Sequence, residues 1–440
     1  MASTYLTRTP SSAGNRKTFT FSAWIKRAKL GSTQYFVSQG TDSNNNWTMG
    51  FGSDDVLFMW NYISSFQIRF NLNRKFRDTS AWYHIMLAVD TTQSTEADRI
   101  KFYINGVQET SFSTSTYPSQ NLDTIVNSTT GNYRIGHYSQ GSDYFDGSMS
   151  HVHFCDGTAL APTVFGSTDS TTGEWQINTS PSFTPGTNGF TILKDGNTIT
   201  DQSANSNNFT VGGGTLTKTE DCPSNVFATW NPLNPTNPDF ANGNATLTRA
   251  SNSWKPAWTT IGASSGKYYC EIDWDSGSNF TVGFSTADVP GSNPTLEDLV
   301  GNPSNGGYIT VLYENGVIYN NGSSAGAYGS GSTYATNDIM MLAMDLDNNK
   351  FYFGKNGTWF NSANPASNTG GYDINASYTN STWCFAAVVY GTGSWHGNFG
   401  NGYFGTTAVS SAGTNASGNG IFEYNVPTGY TALATKGLNL

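Results

Sequence analysis

Apolar and polar residues alternate with a period of two along most of the chain, where a helical period near 3.6 is rare. Phe19-Thr-Phe21-Ser-Ala-Trp24-Ile25 predicts a strand, as do Trp82-Tyr-His-Ile85-Met-Leu87-Ala-Val89-Asp90 and Ile100-Lys-Phe102-Tyr-Ile104. Asn105-Gly106 closes the last of these, and a type I′ hairpin turn needs two residues that tolerate positive φ. The pair recurs at Asn315-Gly316, Asn321-Gly322 and Asn356-Gly357. Short strands with turn residues at intervals of about 8 to 12 indicate sandwiches. The expected fold is all-β, with two antiparallel β-sandwiches.

The pattern weakens in the middle. From Phe165 to about Asn225 the chain is rich in Ser, Thr, Asn and Gly, with short apolar pieces such as Phe190-Thr-Ile192-Leu193. Trp230-Asn-Pro232-Leu-Asn-Pro235-Thr-Asn-Pro238 follows, and a proline at every third residue favours an extended, semi-rigid segment. A fresh set of strands begins at Trp254. These shifts predict a first domain over residues 1–222, a Pro/Asn-rich junction over 223–253 and a second domain over 254–440.

Composition excludes several classes. Of 440 residues only 12% are charged and 14% are aromatic, with 48 Gly, which argues against disorder, long helices and coiled coils. No apolar run approaches the length of a membrane span, so no membrane insertion is expected. Residues 1–110 hold 12 Lys/Arg and 8 Asp/Glu, a balance of +4, and residues 111–440 hold 9 and 23, or −14. Neither part offers the strongly basic face that nucleic acid requires. Cys155, Cys222, Cys270 and Cys384 lie far apart, and in a chain of this size buried free thiols are expected. The start, Met1-Ala-Ser-Thr-Tyr-Leu-Thr-Arg8, lacks the apolar stretch of a secretory leader.

Chemistry-bearing patterns are few. Glu271-Ile-Asp273-Trp-Asp275 puts three carboxylates on one strand face, a geometry that a glycan hydrolase can use, although a solvated strand face explains it more simply. His151-Val-His153-Phe-Cys155 offers soft metal ligands, but an ordinary half-exposed strand fits as well. No cofactor is required by any motif. Calcium is the one left open, at Asp42, Asp143 and Asp146, because hard cations take oxygen ligands on loops. Loops that mix aromatic rings with amides suit sugar stacking. They nominate Asn44, Trp47, Tyr138, Tyr144, Tyr390 and Trp395 as ligand-binding residues.

Residues 18–160 resemble the laminin-G/concanavalin-like jelly roll, through the strands above, Tyr133-Arg-Ile-Gly136 and Phe145-Asp-Gly-Ser-Met-Ser-His-Val-His-Phe154. Residues 254–430 are similar to SPRY/B30.2 domains. The likeness is carried by Gly266-Lys-Tyr-Tyr-Cys-Glu-Ile272, by Asp338 to Asn356-Gly357, and by Phe422-Glu-Tyr-Asn-Val-Pro427. On that resemblance Glu271 is a strand residue of the SPRY pattern. The Gly/Ser/Asn-rich insertion at 401–420 departs from it.

The pairing of these two domains, with the junction Asp221-Cys-Pro-Ser-Asn-Val-Phe, resembles virion proteins of tailed bacteriophages, marine ones especially. It implies a non-enzymatic fiber, spike or capsid decoration component, located in the virion after assembly in the host cytoplasm. The implied partners are other virion proteins and a host cell-surface glycan or protein. A homo-oligomer, such as a trimer, is left open, since no heptad or β-helical repeat marks a shaft. Two alternatives are a hydrolase using Glu271 and Asp273, and a bacterial carbohydrate-binding adhesin, against which the missing leader counts.

Overall fold

The computed structural model describes residues 3–439 apart from 195, 197, 234–238, 251–253, 288–307, 322, 330 and 332. Pro235 and Pro238 of the junction and Gly322 of one Asn-Gly pair therefore lie outside the described residues. The chain divides into two compact units, Met1–Lys218 and Thr219–Leu440. Among the described residues, no helix is long and apolar enough to cross a membrane.

The first unit contains β1 (Tyr5–Arg8), β2 (Thr18–Arg27), β3 (Gln34–Asp42), β4 (Asn45–Phe51), β5 (Val56–Ile63), β6 (Phe66–Lys75), β7 (Tyr83–Asp90) and β8 (Ile100–Ile104). It continues with β9 (Val107–Glu109), β10 (Phe112–Thr116), β11 (Asn132–Ile135), β12 (Gly147–Asp156), β13 (Gly166–Thr168), β14 (Trp175–Ile177), β15 (Phe190–Ile192) and β16 (Thr210–Gly213). An eight-stranded sheet runs β10-β6-β5-β4-β3-β11-β1-β16 and a six-stranded sheet β15-β12-β2-β7-β8-β9. Alternate residues of both turn inward to one core, including Phe19, Phe21, Leu87, Trp47, Met49 and Phe70. Asn105 and Gly106, between β8 and β9, have φ of 48° and 76°, the mirror-image turn that their sequence predicts.

The six-stranded sheet is covered on its other face as well. His84 and Met86 of β7 and His153 and Cys155 of β12 are all buried. Phe165 lies within 5.4 Å of the His153 ring, and Trp175 Nε1 donates to His84 Nδ1 at 3.1 Å. Gly106 lets Trp175 reach this place, since a Cβ there would stand 2.3 Å from the indole. The half-exposed strand expected at 151–155 is therefore corrected. A bulge between Ser150 and His153, with His151 at φ 49°, breaks the alternation, and the polar stretch after residue 158 folds over the outer face.

The second unit contains β17 (Asp239–Ala241), β18 (Thr246–Arg249), β19 (Lys255–Trp258), β20 (Lys267–Thr286), β21 (Ile309–Tyr313), β22 (Val317–Asn320), β23 (Ser323–Ala327), β24 (Ile339–Asp345), β25 (Lys350–Lys355), β26 (Thr358–Trp359), β27 (Tyr372–Asp373) and β28 (Trp383–Asn398). The long antiparallel ribbon of β20 and β28 is bent by bulges between Trp274 and Phe280. One half of β20 pairs with β24 and the other with β21, so the sheet folds back over a core of Ile272, Phe284, Phe353, Phe385 and Trp395. The segment expected as a junction at 223–253 instead belongs to this unit. Trp230 and Leu247 are core residues, and β18 pairs with β28. Cys155, Cys270 and Cys384 are buried free thiols and Cys222 is half-buried and free.

Two covered histidines make the first unit acid-sensitive. Burial holds His84 down to about 3, against 6.5 for a free imidazole, and pushes His153 well below 6.5. Below pH 6.5 the unfolded chain binds protons that the folded chain refuses, so stability falls as pH drops through that interval. The slope is about 1.4 kcal/mol per pH unit for each histidine. Exchange of buried first-unit amides in guanidinium, followed downward from pH 6.5, should show it, and His84→Asn should lower that unit's slope by about 1.4 kcal/mol per pH unit. A slope unchanged in that variant would refute the assignment.

Candidate functional site: the outer face of the eight-stranded sheet

The eight-stranded sheet carries rings on its outer face, where the loop after β11 packs on Tyr35 and Ser38; Tyr35, Phe58, Ser38 and Thr48 are buried, and Trp60, Tyr62 and Phe66 stay partly exposed. In β5, Leu57, Met59 and Asn61 point inward, and Phe58, Trp60 and Tyr62 point outward. The strand is therefore large on both sides. Cross-strand register places Arg69, Trp60, Thr48, Ser38 and Arg134 in one row across β6, β5, β4, β3 and β11. The neighbouring row is Phe58, Gly50 and Tyr35. Gly50 has no side chain to separate the rings beside it, so Tyr35 and Phe58 meet at 5.3 Å across β4; a Cβ there would lie 2.7 Å from the Phe58 ring.

Loops extend this surface. Tyr138 stacks on Tyr35 at 4.4 Å, and Phe58 stacks on Trp60 at 4.8 Å. At the β1 side, His137 stacks on Tyr5 at 4.7 Å and Tyr144 lies 4.3 Å from His137. Trp60, Tyr62, Tyr138, Tyr144 and Tyr5 are half-buried, and Phe66 is 42% exposed. Trp60 Nε1 donates to Asn46 Oδ1 at 2.7 Å, fixing the indole over β4. Arg69 lies over Phe66 with its guanidinium carbon 4.5 Å from the ring centre, and Arg134 lies over Tyr5 at 5.6 Å. The result is a set of aromatic faces with amides and guanidinium groups at their margins, the chemistry that stacks and hydrogen-bonds a sugar ring.

Of the residues nominated from sequence, Tyr138 and Tyr144 belong to this face, and Asn44 is exposed in the β3–β4 turn beside it. Trp47 does not belong. It is 1% exposed and packs against Phe19 and Phe21 in the core, because it has the inward parity of Met49 and Phe51. Trp395 is likewise a core residue, stacked on Phe280 at 5.6 Å. Tyr390 is half-buried in the second unit, 5.0 Å from Trp254. Sequence reading missed Tyr35, Phe58, Trp60 and Phe66. The signal was present in Phe58-Met-Trp60-Asn-Tyr62, whose alternate positions are all aromatic.

The carboxylates proposed for calcium do not form one site. Asp42 accepts from Asn44 N at 2.7 Å and from Asn45 Nδ2 and Thr41 Oγ1, which hold it below the usual carboxylate range. Asp143 is exposed near Tyr138, and Asp146 is half-buried and pushed up by burial. Among the described residues, no three His, Cys, Asp or Glu side chains are grouped to hold a metal ion.

The Glu271 face differs from the solvated strand that sequence predicts. Glu271 is fully buried beneath the C-terminal segment. Its Oε1 accepts from Tyr269 Oη at 2.9 Å and Tyr424 N at 2.8 Å, and its Oε2 from Glu423 N at 2.8 Å and Asn398 Nδ2 at 3.4 Å. Four donors fill the four lone-pair sites of a carboxylate, leaving none for a substrate. Burial nevertheless pushes this carboxyl up to about 7, the donors pulling the other way. Asp273 is half-buried and raised to about 6 by burial and by Asp275, which is exposed.

The first unit's region 2–165 matches the family model of the concanavalin A-like lectin/glucanases superfamily, a laminin-G type. The chain is also similar to the crystal structure of the SPRY domain of human HERC1, at 17% identity over 39% of this chain and 92% of that one, with a TM-score of 0.27. A native heptameric SAP-like pentraxin from Limulus polyphemus gives 19%, 36%, 71% and 0.27 for the same quantities. Domain 4 of AbnA, an extracellular arabinanase from Geobacillus stearothermophilus in complex with arabinotriose, gives 20%, 36%, 68% and 0.26. No curated protein sequence matches the chain.

Glu271→Gln tests the clasp directly. The amide would turn its own N–H groups toward donors that now meet a carboxylate, so a loss of about 2–4 kcal/mol is expected. Denaturant midpoints measure that loss. Hydrogen exchange should show the Glu423 and Tyr424 amides opening faster. Wild-type protection at both amides would remove the clasp role.

Proposed function

We propose that this chain is a non-enzymatic adhesion protein of a tailed-phage particle that binds glycan through the outer face of its eight-stranded sheet. The observation that carries the adhesion half is the contrast between the two sheets of the first unit. One outer face is sealed by the chain's own aromatic residues, Phe165 and Trp175 among them. The other leaves Trp60, Tyr62, Tyr138 and Phe66 partly exposed, Trp60 stacked on the buried Phe58 and Tyr138 on the buried Tyr35. An aromatic surface of this kind, rimmed by polar groups, marks an interaction site. The superfamily match of residues 2–165 is consistent with sugar recognition.

The non-enzymatic half is supported by Glu271, whose lone pairs are taken by backbone and side-chain donors. The virion placement is supported by the resemblance of the domain pairing and of the junction at 221–227 to virion proteins. It carries with it the partners of such a protein, namely other virion components and a host-surface glycan.

Trp60→Ala should weaken binding to a glycan array by about tenfold or more, since a central ring of a contact surface commonly contributes that much. Trp47→Phe, which changes the opposite side of the sheet, should leave binding unchanged. Equal binding by Trp60→Ala and the parent would overturn the glycan reading. Mass spectrometry of purified particles tests the placement, and absence of the chain from them would overturn it.

A further inference from the structure

We propose that residues 159–183 are an acid-released cover, held down through His84 and lifted from the six-stranded sheet when that imidazole takes up a proton. Little joins this segment to the rest of the first unit. Its strands β13 and β14 pair with each other and with neither large sheet. Among the described residues, two hydrogen bonds tie it down, from Leu160 N to Thr20 Oγ1 at 2.9 Å and from Trp175 Nε1 to His84 Nδ1 at 3.1 Å. Its apolar side chains Leu160, Val164, Phe165 and Phe183 gather on Met86 and Ala88 in a small cluster separate from the main core. The cover can therefore open while the sandwich beneath it stays closed.

The bond to His84 specifies a protonation state. An indole N–H only donates, so His84 Nδ1 accepts and carries no proton. Nε2 then holds the single proton and donates to Ser22 Oγ at 2.9 Å. A second proton has only Nδ1 to go to, where it would set N–H against N–H and remove the bond. Lifting the cover frees Nδ1 for water. His153, under Phe165 and Phe183 at 5.4 and 5.9 Å, loses the same shelter. The surroundings offer a new cation no counterion. His151 and Lys194 are the charges felt by His153 besides His84, and no carboxylate acts on either ring. Cys155 of β12, Lys26 of β2, and Lys101 and Tyr103 of β8 share the face, and Glu174 is exposed on the cover. Burial holds both covered rings neutral, His84 down to about 3 and His153 well below 6.5. Below pH 6.5 the open form binds protons that the closed form refuses, so each pH unit raises the opening constant about tenfold for each histidine uncovered.

Native-state hydrogen exchange on the full-length protein, corrected for the intrinsic amide rate at each pH, separates cover from sandwich. A two-stranded hairpin released from its support does not keep its ladder, so the Leu160 and Asn178 amides report opening. Leu87, paired through β7 to strands on both sides, reports the sandwich. Opening at Leu160 and Asn178 should exceed that at Leu87 and rise about tenfold or more for each pH unit below 6.5, and return to neutral pH should restore protection. His84→Asn and His84→Gln should each remove about tenfold per pH unit from that rise. Trp175→Phe, which keeps a ring and loses the donor, should raise opening of the cover at neutral pH about tenfold and leave Leu87 unchanged. Equal opening constants at Leu160, Asn178 and Leu87 would show the unit opening as a whole and overturn the cover. Opening that does not depend on pH would overturn its release by acid. A pH dependence left intact in both His84 variants would overturn the role given to that residue.

Discussion

A buried carboxylate that accepts backbone N–H groups from distant parts of the chain closes each unit. In the first, Asp156 accepts from Asn15 N at 2.7 Å, Asn127 Nδ2 at 2.9 Å and Asn188 N at 2.9 Å, tying the strand β12 to the N-terminal arm, a loop and the segment before β15. In the second, Glu271 takes the amides of Glu423 and Tyr424, more than 150 residues further on. The segments held in the first unit are rich in Ser, Asn, Thr and Gly, whereas the C-terminal segment of the second also buries Phe422, Val426, Tyr430 and Leu433. A hydrogen bond to a charged group contributes about 1.5–3 kcal/mol, several times what a solvent-exposed polar contact gives. Gly14 and Gly186 are required for the approach in the first unit, because a Cβ at either would stand about 2 Å from Asp156 atoms. A chain with so little charge thus places carboxylates where they organise backbone.

That closure decides which sheet face remains available. The covering segment of the first unit returns to Asp156 on the six-stranded side, and its rings fill the outer face there, over His84 and His153. The eight-stranded sheet is covered only in part, by the loop that stacks Tyr138 on Tyr35, and its outward residues on β5 are as large as its inward ones. Rings left partly in water cost hydrophobic stabilisation unless they pack on one another. Here they do, through Tyr35–Tyr138, Phe58–Trp60 and Tyr62–Phe66. The mutual stacking fixes the rings against one another.

Fold and site were legible to different depths. The period of two, the Asn-Gly turns at 105–106 and 356–357, and the apolar pairs of β2 and β7 lead directly to antiparallel sandwiches. Alternation says which residues share a face, but it does not say which face is inside when both are apolar. Trp47 and Trp60 show this limit. Both sit in Asn-rich surroundings on adjacent strands, and only the register of Trp47 with Met49 and Phe51 sends it to the core. Bulges add a second limit, since those in β12 and β20 reset the parity that spacing alone would assign. The third is cover. Nothing local in His151-Val-His153 or in Glu271-Ile-Asp273 reveals that a distant, polar segment folds over them.

The same limits explain why low charge is informative about function here. In a β-sandwich, an arginine on a sheet surface ordinarily finds a carboxylate across a strand or in a nearby turn, as Arg74 does with Glu109. Where carboxylates are committed to backbone, as Asp42 and Asp156 are in the first unit, such partners become fewer. An aromatic ring then becomes the alternative support for a guanidinium, and it leaves the hydrogen-bonding edge of that group unsatisfied by any anion. The rings of Phe66 and Tyr5 each carry a guanidinium, of Arg69 and Arg134, in keeping with the way the rest of the fold uses its carboxylates.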